Sequence, residues 1–121
     1  MYVLFLSFLL VNFSHAITSI GTTSGCPEKA ELVAHEGDSF VTIKLNGKKW
    51  KLISTEGKRF SRQAKEPVTF RTQDNDPTKG EPTLEFEMTS MVMSSLPRLV
   101  VSYSGVQNKC RVELHESRDK N

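Results

Sequence analysis

Past an uncharged amino-terminal stretch, this 121-residue chain carries two histidines, His35 and His115, each followed by a glutamate, Glu36 and Glu116. Two such pairs are the raw material of a zinc site, but no His-Glu-x-x-His run and no Cys-plus-His spacing accompanies them. They read as exposed histidines at strand ends. No serine stands in a Gly-x-Ser-x-Gly elbow. Glu85 and Glu87 share one strand face, with nothing near them to raise a carboxyl pKa into the acid–base range. Asp74 and Asp76 occupy positions one and three of a calcium-loop pattern, and Glu85 falls at position twelve. Position six, which needs glycine, is Lys79, and strands rather than helices flank the loop, so Asx-turn chemistry is the expectation there. The chain is therefore expected to be no enzyme, with no metal and no cofactor.

The remaining chemistry is cationic. Lys44 to Glu66 contains eight basic residues against Glu56 and Glu66, whereas Asp74 to Glu87 contains five acidic ones against Lys79. Lys44, Lys49, Lys51, Lys58, Arg59 and Arg62, with Phe60 among them, form the candidate binding set. Such a patch suits an acidic protein surface, an anionic glycan or lipid headgroups. The competing role of strand lysines is to keep an exposed strand from aggregating. A net charge of only +2 and aromatics limited to Phe40 and Phe60 argue against nucleic acid.

The element that must position these lysines is Ser39–Ser54, SFVTIKLNGKKWKLIS. Asn46-Gly47 between two alternating runs predicts a hairpin with a type I′ turn, whose two central residues both need positive φ. That register sets Ile43 opposite Trp50 and Val41 opposite Leu52 on the inner face, as core anchors. Thr42, Lys44, Lys49 and Lys51 then face outward, with Phe40 and Ile53 at the far end; a one-residue slip would bury the lysines.

Further strands follow from alternation: Val68–Thr72, Thr83–Met88, Leu99–Tyr103 and Cys110–Leu114, with Arg71 placed to meet Glu85 or Glu87. Glu31–His35 is too short to separate strand from helical turn. Gln73–Pro82 is a surface loop, and Thr55–Pro67 a polar loop or short helix carrying one large apolar residue, Phe60. Ser104–Asn108 reads as a turn, and Thr89–Leu96 is undecided. The sum is all-β: a small antiparallel sandwich or barrel of six to eight strands.

Residues 1–16 have an apolar centre and end in Ser14-His15-Ala16, small residues where signal peptidase cuts, although no Lys or Arg precedes the centre. Export to the periplasm or beyond is expected, with 17–25 a flexible leader, 26–116 the β-domain and 117–121 a polar tail. No membrane-spanning segment is expected in the mature chain. In an exported chain the two cysteines, Cys26 and Cys110, read as a disulfide fastening the chain ends.

Cys26-Pro27, Asn46-Gly47-Lys48-Lys49-Trp50 and Cys110 together resemble a group of small exported bacterial proteins of unknown function. These share a Cys-Pro after the signal, a tryptophan after a polar turn and a cysteine opening the last strand. A second resemblance is to periplasmic inhibitors of c-type lysozyme, which are eight-stranded, antiparallel and fastened by a late cysteine. Their inhibitory loop is Ser-Gly-x-x-Tyr. Here Glu56-Gly57-Lys58-Arg59-Phe60 follows Ser54-Thr55, with Glu for the motif serine and Phe for the tyrosine. In Tyr103-Ser104-Gly105, Asn108 stands where that tyrosine would be. This resemblance implies inhibition of a secreted or periplasmic hydrolase through residues 56–60.

Overall fold

The structure, a computed structural model, describes residues 17–26, 28–62, 66–88 and 97–117. The expected signal segment, Thr89–Leu96 and residues 118–121 lie outside these. The strands are β1 (Thr18–Ser24), β2 (Ala30–His35), β3 (Phe40–Leu45), β4 (Lys48–Ser54), β5 (Val68–Thr72), β6 (Thr83–Met88), β7 (Arg98–Tyr103) and β8 (Val106–Ser117). Each pairs antiparallel with its sequence neighbour, and β8 returns to β1, closing an eight-stranded barrel. Of the two architectures the alternation allowed, the barrel is the one adopted. Closure hides the strand edges that an open sheet would expose.

Alternation sorts the side chains. Leu32, Val41, Ile43, Leu52, Phe70, Leu84, Phe86, Met88, Leu99 and Val112 point inward and are buried. The interior of a barrel this size is just wide enough for side chains to fill it. Phe70 stacks on Phe86 with ring centroids 6.1 Å apart, and the Phe60 ring lies 6.4 Å from Phe70.

Of residues 17–25, expected as a flexible leader, Thr18–Ser24 instead form β1 and pair on both sides. Ile20 stands opposite Val33 of β2 and opposite His115 of β8. Ser19, Gly21 and Thr23 are the inward positions of this strand, so it lacks the apolar alternation that marks the others. Gly21 is there for space: a Cβ on it would lie 2.7 Å from Val112 Cγ1 and 3.1 Å from Leu32 Cβ. The β-structure accordingly starts before Cys26, which follows the first strand rather than preceding it, and it extends through Ser117.

The disulfide joins Cys26, after β1, to Cys110 in β8, with Cα atoms 5.2 Å apart. Near it the Tyr103 hydroxyl donates to Glu28 Oε2 at 3.3 Å, and partial burial followed by that carboxylate's charge raises the phenol's pKa. Arg71 meets Glu85 across β5 and β6, its Nε 2.9 Å from Oε2, while Glu87 takes Arg98 of β7 at 3.5 Å.

Candidate binding face

The β3–β4 hairpin has the register its sequence dictates. Asn46 and Gly47 take φ values of 52° and 80°, the positive values a type I′ turn needs. Ile43 faces Trp50, Val41 faces Leu52, Lys44 faces Lys49, Thr42 faces Lys51 and Phe40 faces Ile53. Val41, Ile43 and Leu52 are core residues. Trp50 points the same way and packs on that core, but it sits near the turn end of the barrel and is only partly buried. The Lys48 ammonium lies over its ring, 4.3 Å from the centroid, and is held by Glu81 at 3.0 Å.

Lys44, Lys49 and Lys51 are exposed on the outer wall. Glu31 of β2 stands opposite Lys44 in the register, yet no described carboxylate lies within ion-pair distance of these three lysines. Lys51 reaches instead over the half-buried Phe40 ring, 4.5 Å from its centroid. A shallow depression of about 410 Å³ runs between Glu31, Val33, Thr42, Lys44 and Lys49. Val33 and its cross-strand neighbour Ile20 are both 37% exposed, so the wall places an apolar pair beside a cationic one.

The other half of the candidate set does different work. Phe60 is fully buried in the core, which removes it from any binding surface: it is the only large apolar side chain in its polar segment, and the barrel interior takes it. The backbone beside it is tied to the β2–β3 turn. Phe60 N–H donates to Asp38 O at 2.7 Å, Gly37 N–H donates to Phe60 O at 2.9 Å, and Arg59 Nη1 donates to Gly37 O at 2.8 Å. Arg62 gives its N–H to Glu36 Oε1 at 2.7 Å, and its guanidinium lies 3.7 Å from Glu116. Lys58 sits between Glu66 at 3.3 Å and Glu56 at 3.4 Å; hydrogen bonds to Glu66 and then Glu56 raise its pKa. These three cations hold a loop in place. Glu36 was the partner sequence reasoning missed, since an acidic residue in a turn gives no sign of what will dock on it.

The acidic loop uses its carboxylates to order itself and, through Glu81, to hold Lys48 of the hairpin. Asp76 Oδ1 accepts from Thr78 N–H at 3.0 Å, capping the short 3₁₀ turn Pro77–Lys79. Glu81 Oε1 accepts from Asp76 N–H at 2.7 Å; that bond first, and Lys48 second, lower the Glu81 pKa. Asn75 Nδ2 bonds Pro82 O and Thr83 Oγ1, each at 3.0 Å. This is the Asx-type loop expected from its composition. His35 Nδ1 lies 3.0 Å from Thr18 Oγ1, and both histidines are exposed on the outer wall. Among the described residues no cluster of three His, Cys, Asp or Glu could hold a metal, and no helix is long and apolar enough to cross a membrane.

Neither a family model, nor a curated protein, nor a solved structure matches the chain.

Proposed function

We propose that the protein is an exported, non-catalytic binding module that takes an anionic partner on the β3–β4 wall. The observation that supports this reading is that no described carboxylate lies within ion-pair distance of Lys44, Lys49 or Lys51, on a hairpin whose register is fixed by its turn and its buried face. Three ammonium groups carried on one wall of the barrel raise the local concentration of an anion there. A disulfide between the chain's two cysteines is what an oxidising compartment permits, in keeping with export.

The test compares two triple variants of equal charge change. One carries Lys44→Glu, Lys49→Glu and Lys51→Glu; the other carries Lys79→Glu, Lys109→Glu and Arg111→Glu. Binding to dextran sulfate should fall about tenfold more in the first than in the second. Equal losses would reduce the interaction to net charge and remove the face.

A second reading, inhibition of a secreted or periplasmic hydrolase through the 56–60 loop with Phe60 itself withdrawn into the core, is favoured by one observation. The bonds from Arg59 and Phe60 to Gly37 and Asp38 fix this loop's base and leave Glu56 and Gly57 exposed at its tip. A loop ordered in advance loses little entropy on docking. Purified protein in a lysozyme turbidity assay decides it: undiminished clearing at excess protein removes that muramidase as the target.

A further inference from the structure

The outward positions of a packed barrel face water, yet four of them on the β1–β4 wall are apolar. The register makes these four neighbours. Ile20 of β1 stands directly opposite Val33 of β2. Val33 stands opposite Thr42, so Phe40, two residues back along β3, is its diagonal neighbour. Phe40 in turn faces Ile53 of β4. Ile20 and Val33 are exposed, and Phe40 and Ile53 are half-buried. An apolar band thus crosses four strands on the outside of the barrel. Cations border it. Lys51 faces Thr42 and brings its ammonium over the Phe40 ring, and Lys44 and Lys49 face each other two residues further toward the turn. The depression between Val33, Thr42, Lys44 and Lys49 follows the line where the apolar and cationic parts meet. Glu31, opposite Lys44, sets one negative charge against these three positive ones.

From this arrangement we infer that the β1–β4 wall docks on an anionic lipid bilayer, with the lysines among the headgroups and the apolar band against the acyl boundary beneath them. Apolar residues scattered singly on a surface need no explanation, whereas a contiguous set rimmed by charge marks an interaction site. The negative potential of such a membrane attracts the lysines, and the band gains by leaving water. Lysine stems lie along apolar surface while their ammonium groups reach the phosphates, so the two contacts are made together. A soluble polyanion satisfies the lysines and leaves the band in water; a bilayer covers both. The inference rests on the cationic-wall reading and adds the band to it.

The experiment sediments the full chain with vesicles of phosphatidylglycerol and, separately, of phosphatidylcholine, and measures dextran sulfate binding in parallel. Residues 1–16, apolar in sequence, are the same in every form and cancel from ratios between forms. The parent should prefer phosphatidylglycerol by at least about tenfold, a preference that fades at high salt. The Lys44→Gln, Lys49→Gln, Lys51→Gln variant should lower partition onto phosphatidylglycerol about a hundredfold, roughly fivefold for each lysine. Ile20→Thr with Val33→Thr keeps the β-branch that a strand favours. That pair should lower partition about tenfold and leave dextran sulfate binding unchanged, which also reports that the variant is folded. Val33→Thr alone carries the same test, at about threefold, should the double variant not fold.

A threonine variant that partitions as the parent does, or a parent indifferent to lipid charge, overturns the bilayer. If dextran sulfate is still held through the three lysines, the cationic wall stands without it. Equal losses of vesicle and dextran sulfate binding in the threonine variant also overturn the band as a lipid contact. A lysine variant that keeps both ligands removes both readings. Displacement from vesicles by soluble glycerol phosphate, beyond that by sodium chloride at the same ionic strength, assigns the wall to a single headgroup and overturns the bilayer.

Discussion

Two groups of cations lie a few residues apart in this chain and have opposite fates. Lys44, Lys49 and Lys51 project from strands, pair with no described carboxylate and face water. Lys58, Arg59 and Arg62 lie in an irregular segment: Lys58 is held by Glu56 and Glu66 within it, while Arg59 and Arg62 meet Gly37 O, Glu36 and Glu116 and tie it to the barrel. The difference follows from backbone geometry. A strand in a ladder satisfies its own backbone, so its outward side chains are not needed to partner backbone groups. A loop leaves backbone groups and neighbouring carbonyls in need of partners, and long cationic side chains supply them. Charge density in a sequence thus does not measure charge available to a ligand.

The largest test of that contrast is Phe60→Ala. The segment's cations are held where they are because Phe60 anchors its centre in the core between Gly37 and Asp38, beside Phe70. Emptying that site should destabilise the protein by about 3–5 kcal/mol, read from urea or thermal unfolding. A loss under about 1 kcal/mol would mean that the segment is held by its polar ties instead.

A smaller effect separates the two groups directly. Arg59→Ala removes the donor to Gly37 O, and Arg62→Ala removes the ion pair with Glu116 while keeping the backbone bond to Glu36. Both sites are partly open to water, so about 1 kcal/mol is expected for the first and less for the second. The Lys44→Glu, Lys49→Glu, Lys51→Glu variant should stay within about 0.5 kcal/mol of the parent in the same unfolding assay. The reverse ranking would erase the distinction between structural and available cations.

How far this was legible beforehand depends on where the information lies. The hairpin was readable to the residue because its two determinants are local: a dipeptide that tolerates positive φ, and alternation that survives only one register. The same rule applied to β5 and β6 sets Arg71 against Glu85 or Glu87, and the register selects Glu85. β1 was missed because its inward residues, Ser19, Gly21 and Thr23, are small; its strand character comes from β2 and β8, which flank it, and from the crowding of Val112 and Leu32 at Gly21. Phe60 was misplaced for the complementary reason. A lone aromatic in a polar run has no periodicity to reveal its direction, and only the closed barrel provides the interior it enters. Trp50 was placed on the correct face, but its position at the barrel's end, and so its partial exposure, depends on how far β5 runs alongside β4.

Lys48 stands between the two groups, and it supplies the smallest effect. It lies on the hairpin like the free lysines, yet Glu81 holds it over Trp50. The Glu81 carboxyl is held below its ordinary pKa, chiefly by the Asp76 N–H and next by Lys48. A carboxyl whose folded pKa is depressed contributes stability above its unfolded pKa, near 4.3 in model peptides, and loses it as pH falls through the folded value. Glu81→Gln keeps an acceptor for Asp76 N–H but not the charge that holds Lys48. Parent and variant should therefore differ in unfolding midpoint at pH 7 and converge as the pH is lowered through the folded pKa of Glu81. Trp50 emission in the parent should change over the same interval as the Lys48 ammonium is released from above the ring. A gap that persists unchanged at low pH would show that Glu81 acts through its shape and hydrogen bonding alone, and that Lys48 belongs with the free lysines.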